Sequence, residues 1–202
     1  MDEGNRSFWD VRLPATADDG EAGLVAAALE QLGGNRLADW AVRLLTGRAR
    51  PGDDGDPDIA LIRGEAAALD PELALDPHLS RWLGARVLVH HWHPRAADAV
   101  RDGLADDSAA VRQLCCRIVA VQGSPAFDAA ARTVEQLLAD PEPRVRSAAA
   151  LALGEVGGEH AAGPLRGLLM DPDSVLASAA EEALGRLAHR HARPDLRADP
   201  EY

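Results

Sequence analysis

The sequence has no lysine: all 21 basic residues among its 202 are arginine. That absence excludes a Schiff-base lysine, a P-loop lysine and a kinase-type lysine. Cysteine is nearly absent too. Cys115 and Cys116 are neighbours, a spacing that disfavours an ordinary structural disulfide between them. Aromatic residues are limited to four Trp, two Phe and one Tyr. No apolar run approaches the ~20 residues needed to span a bilayer. The opening MDEGNRSFWD lacks the charged-then-apolar layout of a secretory signal. A soluble, cytoplasmic protein is the expectation. With 33 acidic residues the formal net charge is −12, which argues against a phosphate backbone as partner.

What is abundant is alanine, at 40 positions. Alanine, leucine and arginine are strong helix formers, so an all-α chain is expected. Self-similarity then organises it. LADDSAAVR from Leu104, LADPEPRVR from Leu138 and LMDPDSVLA from Leu169 align, with LALDPHLSRW as a slightly slipped earlier copy. Their aspartates, Asp76, Asp106, Asp140 and Asp171, are spaced by 30, 34 and 31 residues. Further upstream, AAALEQLGGNRLADWAVRLL (26–45) echoes ALALGEVGGEHAAGPLRGLL (150–169) at an offset of 124, four periods of 31.

One period reads as two antiparallel helices. Val145, Ala149, Ala152, Leu153 and Val156 fall on one helical face, and Val111, Leu114, Cys115, Ile118 and Val119 repeat that stripe. Gly157-Gly158 ends the first helix, where glycine can adopt the left-handed conformation. A second stripe follows at Ala161, Leu165, Leu168 and Leu169. Asp-Pro at 140–141 and 171–172 suits the turn between units, the aspartate as a cap and the proline in the first helical turn. A unit this small cannot bury its own apolar face, so stacking supplies the core.

The stretch DPEPRVRSAAALALGEVGGEHAAGPLRGLL resembles a HEAT-like repeat of the short phycocyanobilin-lyase type. The resemblance is strong over 139–187, fair over 76–122 and weak before that. It implies a right-handed α-solenoid of about five helix pairs, with first helices outside and second helices lining a concave face. It also implies an inter-repeat contact between an aspartate and an arginine six residues on. Asp106/Arg112 and Asp140/Arg146 match, whereas Asp171 faces Ala177, so the last full repeat is expected to act as a cap lacking that contact.

The N-terminal part is less regular. Helices are expected near 21–33 and 35–46, then an exposed acidic loop at 47–57, then a single helix over 59–69 in a second, irregular repeat. The resulting organisation is an N-terminal cap segment at 1–19 and one solenoid domain at 20–190, followed by a flexible tail at 191–202. Within the solenoid, 20–75 is irregular and 76–187 regular. Residues 1–75 carry 15 acids against 7 arginines, so the acidity is concentrated there.

Chemistry-bearing residues are few. His90, His91 and His93, beside Trp92, offer three imidazoles, but adjacent helical residues point about 100° apart and no HExxH-like carboxylate accompanies them. Helix-end residues favoured by the dipole are the simpler account, as for His189 and His191. Cys115 lies on the buried stripe and Cys116 on its flank, away from what a reactive thiol needs. No nucleophile elbow or phosphate-binding glycine loop occurs; Gly154-Glu-Val-Gly-Gly closes a helix. Trp40 and Trp82 read as core. Phe8-Trp9 reads as a cap over the first helices, with a docking peptide as the alternative. No catalytic, cofactor or metal residue is therefore expected.

Equivalent positions on the second helices are more suggestive. Arg101, Glu135 and Arg166 align, as do Asp98 and Arg132 one turn earlier. They form either a solvated face with inter-repeat ion pairs or a recognition surface. The leading expectation is a non-enzymatic, monomeric scaffold or adaptor for a protein or peptide partner. A bilin-lyase-type chromophore-attachment subunit is the runner-up, resting on fold analogy alone. A HEAT-like DNA glycosylase comes third, against the charge.

Overall fold

A computed structural model describes residues 17–50, 53–63 and 77–198. Phe8, Trp9 and most of the expected N-terminal cap lie outside the described residues, as does Asp76. Ten α-helices and no strand occur among the described residues. In chain order they are α1 (Ala17–Leu32), α2 (Gly34–Leu45), α3 (Ala60–Arg63), α4 (Pro77–His90) and α5 (Ala97–Gly103). The rest are α6 (Ala109–Gln122), α7 (Ala131–Gln136), α8 (Pro143–Val156), α9 (Ala162–Gly167) and α10 (Ser174–Arg190).

Long first helices α4, α6, α8 and α10 pack side by side in one row, and the short helices α5, α7 and α9 each pack against the first helix of the following unit, α6, α8 and α10. The two stripes predicted on α6 and α8 are both buried, so the 3.6-residue period faces the neighbours it needs. Each leucine-sized side chain removed from water contributes about 1.5–3 kcal/mol, and the contiguous core runs from Val25 to Leu196. On α10 the inward face is Leu176, Ala179, Ala180, Ala183, Leu184, Leu187 and Ala188. Ser174, Ser178, Glu181 and Glu182 of the same helix are exposed, as is Val175.

Short second helices share one construction. Each begins with a 3₁₀ turn, at Pro94–Ala96, Asp128–Ala130 and Glu159–Ala161, and a fourth such turn follows α10 at Pro194–Leu196. Gly103 closes the first of these helices, and Gly163, Pro164 and Gly167 weaken the third, residues with low helix propensity.

Helices approach closely where the side chain is absent. A Cβ on Gly84 of α4 would lie 2.5 Å from both Ala41 O and Leu45 N of α2. One on Gly154 of α8 would lie 2.8 Å from Ala183 Cα of α10. The turn glycines divide differently from expectation. Gly33 and Gly123 take positive φ, 76° and 57°. Gly157 does not, with φ −68°. It is required instead by proximity, since a Cβ there would be 2.5 Å from Leu153 O.

The irregular second unit is represented by α3, which packs against α1 and α4. The helix expected over 59–69 is described as Ala60–Arg63, its remainder lying outside the described residues. Helix α2 runs antiparallel to α4, its Gly34 end beside His91 and its Leu45 end beside Gly84. That is the direction of a second helix, as the 26–45 echo implies. The loop at 47–57 is less exposed than expected. Ala49 is fully buried, and Asp56 is drawn back onto α2 by Arg43.

Candidate functional site

Turns between units carry an arginine–aspartate ladder. Asp106, Asp140 and Asp171 each accept the backbone N–H two residues on, from Ser108, Glu142 and Asp173, at 2.8, 2.9 and 2.9 Å. These aspartates therefore shape the turn before the helix. The N-cap positions belong to Ser108, Glu142 and Asp173, and Pro143, not Pro141, occupies the first helical turn of α8. Only the Asp173 carboxylate caps directly among these three, accepting from Val175 N and Leu176 N.

Of the two predicted arginines, Arg112 acts across two units. Arg112 donates through Nη1 to Asp106 O at 2.9 Å, which is the six-residue relation seen in the sequence. Its other nitrogens, Nε and Nη2, fork onto the Asp140 carboxylate of the next unit at 2.8 and 2.9 Å. Arg146 repeats the backbone half, donating to Asp140 O at 3.0 Å and Pro141 O at 3.2 Å. One unit earlier, Arg81 forms an ion pair with Asp106 at 2.8 Å. Burial pushes the Asp140 carboxyl up, but the Arg112 fork and the Glu142 N–H outweigh it and hold it below its ordinary range. Bonding to Asp140 in turn raises Arg112. The cross-unit fork was not visible in the sequence; the slipped alignment of LALDPHLSRW concealed Arg81 as the first rung.

The five residues proposed for recognition lie along the second helices, in local arrangements that differ. Asp98 and Arg101 pair with each other within α5. Glu135 of α7 faces His160 of the next unit at 3.6 Å. Arg166 of α9 donates to the backbone carbonyls of Asp195 at 2.6 Å and Arg197 at 3.5 Å. Arg132 is exposed on α7 and has no polar partner among the described residues. The charge alternates as the sequence indicates, and three of the four local groups are already engaged within the chain.

The histidines separate. His91 donates from Nε2 to Gly34 O at 3.3 Å, and His191 does the same to Gly157 O at 3.2 Å. Each thus ties the end of a first helix to the glycine turn of the preceding unit. His93 Nδ1 accepts from Arg95 N at 3.3 Å and starts the 3₁₀ turn. A different grouping, His78, Asp106 and Asp107, brings ligand-type atoms within 4.8 Å of one another. Its cation is already present: Arg81 Nη2 lies 2.7 Å from His78 Nδ1 and also bonds Asp106 and Asp107.

Cys115 and Cys116 are both fully buried, and burial pushes both thiols up, Cys116 to about 12. Thiolate chemistry at neutral pH is disfavoured at such positions. Trp40 and Trp82 are buried, and the Arg86 guanidinium lies 4.7 Å over the Trp82 ring. Trp92 packs against Phe127 with centroids 5.5 Å apart. The segment expected to be a tail is described as far as Ala198, where Leu196 is buried and Arg193 bridges Glu159 at 2.7 Å.

No helix among the described residues is long and apolar enough to cross a membrane. Comparison with curated proteins found no match. A family described as HEAT repeats matches residues 81–185, more than half of the chain and the stretch that holds the helix row and its ladder. The chain is a member of the HEAT-repeat family.

Proposed function

We propose that this chain is a non-enzymatic scaffold or adaptor that binds a protein or peptide partner along the face of its second helices. HEAT repeats generally serve protein–protein interaction. The observation that supports this face is the polar row on α5, α7 and α9, where Asp98, Arg101, Arg132, Glu135 and Arg166 recur at equivalent positions while the first helices are consumed in packing. Alternating signs suit a polar peptide or protein surface better than a phosphate backbone. Arg132 is the principal contact in this reading, because its guanidinium is not committed elsewhere. The protein acts as a monomer in the cytoplasm.

Affinity capture from the native host, followed by titration of the recovered partner, tests this. An Arg132→Glu substitution should weaken the partner by roughly tenfold or more, the scale of a reversed interfacial charge. Equal affinity for the wild-type and Arg132→Glu chains would remove the second-helix face from the account.

A further inference from the structure

We propose that the seat of residues 193–197 on the last unit is a peptide-binding site filled in cis. Its ligand class is a short turn carrying a basic residue three positions before a leucine-sized one. Three contacts define the seat. Arg193 Nη1 meets Glu159 Oε2 at 2.7 Å. Leu196 is 6% exposed and belongs to the core that α10 supplies. Arg166 Nη2 takes the carbonyls of Asp195 and Arg197. A basic group, an apolar side chain and two backbone acceptors are therefore read by an acid, a hydrophobic seat and a guanidinium.

Several features distinguish this segment from a permanent part of the stack. The three earlier 3₁₀ turns run directly into second helices, but after Pro194–Leu196 the backbone leaves as extended chain at Arg197, φ −59° and ψ 161°. The entry residue Ala192 has φ 51°, a conformation that alanine disfavours. Arg193, Pro194, Asp195 and Arg197 are all exposed, so one apolar side chain and solvent-screened polar contacts hold the turn. The flank of α9 beside Arg166 is open: a Cβ on Gly163 or Gly167 would meet nothing within 4 Å. A segment of similar chemistry from another protein has room to approach and replace the resident one.

Because the resident segment defines the ligand, the proposal does not depend on partner binding along the second-helix row. A fluorescein-labelled peptide of residues 191–198, titrated into full-length chains and followed by anisotropy, tests it. The wild-type chain should bind it poorly, since the tethered copy competes at high effective concentration. A Leu196→Asp chain should bind the peptide at least roughly tenfold more tightly, the tether's advantage having been removed. Adding Arg166→Glu should return affinity to the wild-type level. Equal affinity of the wild-type and Leu196→Asp chains, or indifference to Arg166→Glu, would overturn the proposal. Hydrogen exchange on an Arg166→Ser chain is an independent check, because it leaves the apolar seat intact. The N–H groups of Leu196 and Arg197, bonded to Arg193 O and Pro194 O, should exchange several-fold faster with α10 unchanged. Unaltered rates at both amides would also overturn it.

Discussion

Two kinds of junction hold the regular stack together, and they sit at opposite ends of the helices. Between α4 and α6, and between α6 and α8, the polar tie is at the helix N-termini, where Arg81 meets Asp106 and Arg112 forks onto Asp140. Between α8 and α10 the tie moves to the C-termini. There Arg186 meets Glu155 at 2.9 Å, Arg190 donates to Gly154 O and Gly157 O at 3.0 Å each, and His191 adds a bond to Gly157 O. Ala177 stands where Arg112 and Arg146 stand in the earlier units. At the last junction Arg146 of α8 keeps only the backbone half of the contact, onto Asp140 O and Pro141 O, and a separate arginine set ties the other edge. Cohesion is preserved while the chemistry is exchanged.

The largest effect is expected at the ladder. Asp140→Ala leaves Arg112 without its carboxylate in a setting where the two side chains are 12% and 4% exposed, and should cost about 3 kcal/mol in urea unfolding. The same pair sets a pH dependence. Asp140 is held below its ordinary range, so its contribution is complete above the unfolded value of about 3.9 and is lost as pH falls through the folded one. The stability gap between wild type and Asp140→Asn should therefore narrow on moving from pH 7 to below about pH 4.

Next is the steric element of the last junction. Gly154→Val forces atoms against the Ala183 backbone and should cost about 2 kcal/mol by thermal unfolding. Arg190→Ala removes two carbonyl contacts at an exposed residue, so about 1 kcal/mol is expected. The smallest change sharpens the comparison most. Ala177→Arg supplies the arginine that in earlier units donates to the carbonyl of its own turn, here Asp171 O, and should stabilise by no more than about 0.5 kcal/mol, because the contact is a partly exposed one within a single turn.

Much of this architecture was legible in the sequence. The apolar stripes on α6 and α8 have a helical period and no competing pattern, so they dictated both helices and which side is buried. Arg112 and Arg146 could be paired with Asp106 and Asp140 because six residues is a local distance. The second half of the Arg112 contact joins residues 28 apart in different units, and no local rule specifies it. Gly157 looked like a left-handed cap because glycine at a helix end usually is; its actual constraint, the Leu153 carbonyl, is tertiary. The turn after α10 was the least legible. Its prolines and charges carry no periodicity, and its placement depends on Glu159, Arg166 and the seat of Leu196, all supplied by other elements. Among the proposed recognition residues, sequence identified equivalent positions but not that Asp98 and Arg101 satisfy each other or that Arg166 is engaged by the chain's own backbone.

Native-state hydrogen exchange on two full-length variants tests the central contrast most directly. Arg112→Ala should accelerate exchange at the N-terminal turns of α6 and α8 and leave 186–198 unchanged. Arg190→Ala should accelerate exchange over 186–198 and leave those N-terminal turns unchanged. Acceleration in the same places by both variants would contradict two separate kinds of junction and show a single cooperative unit instead.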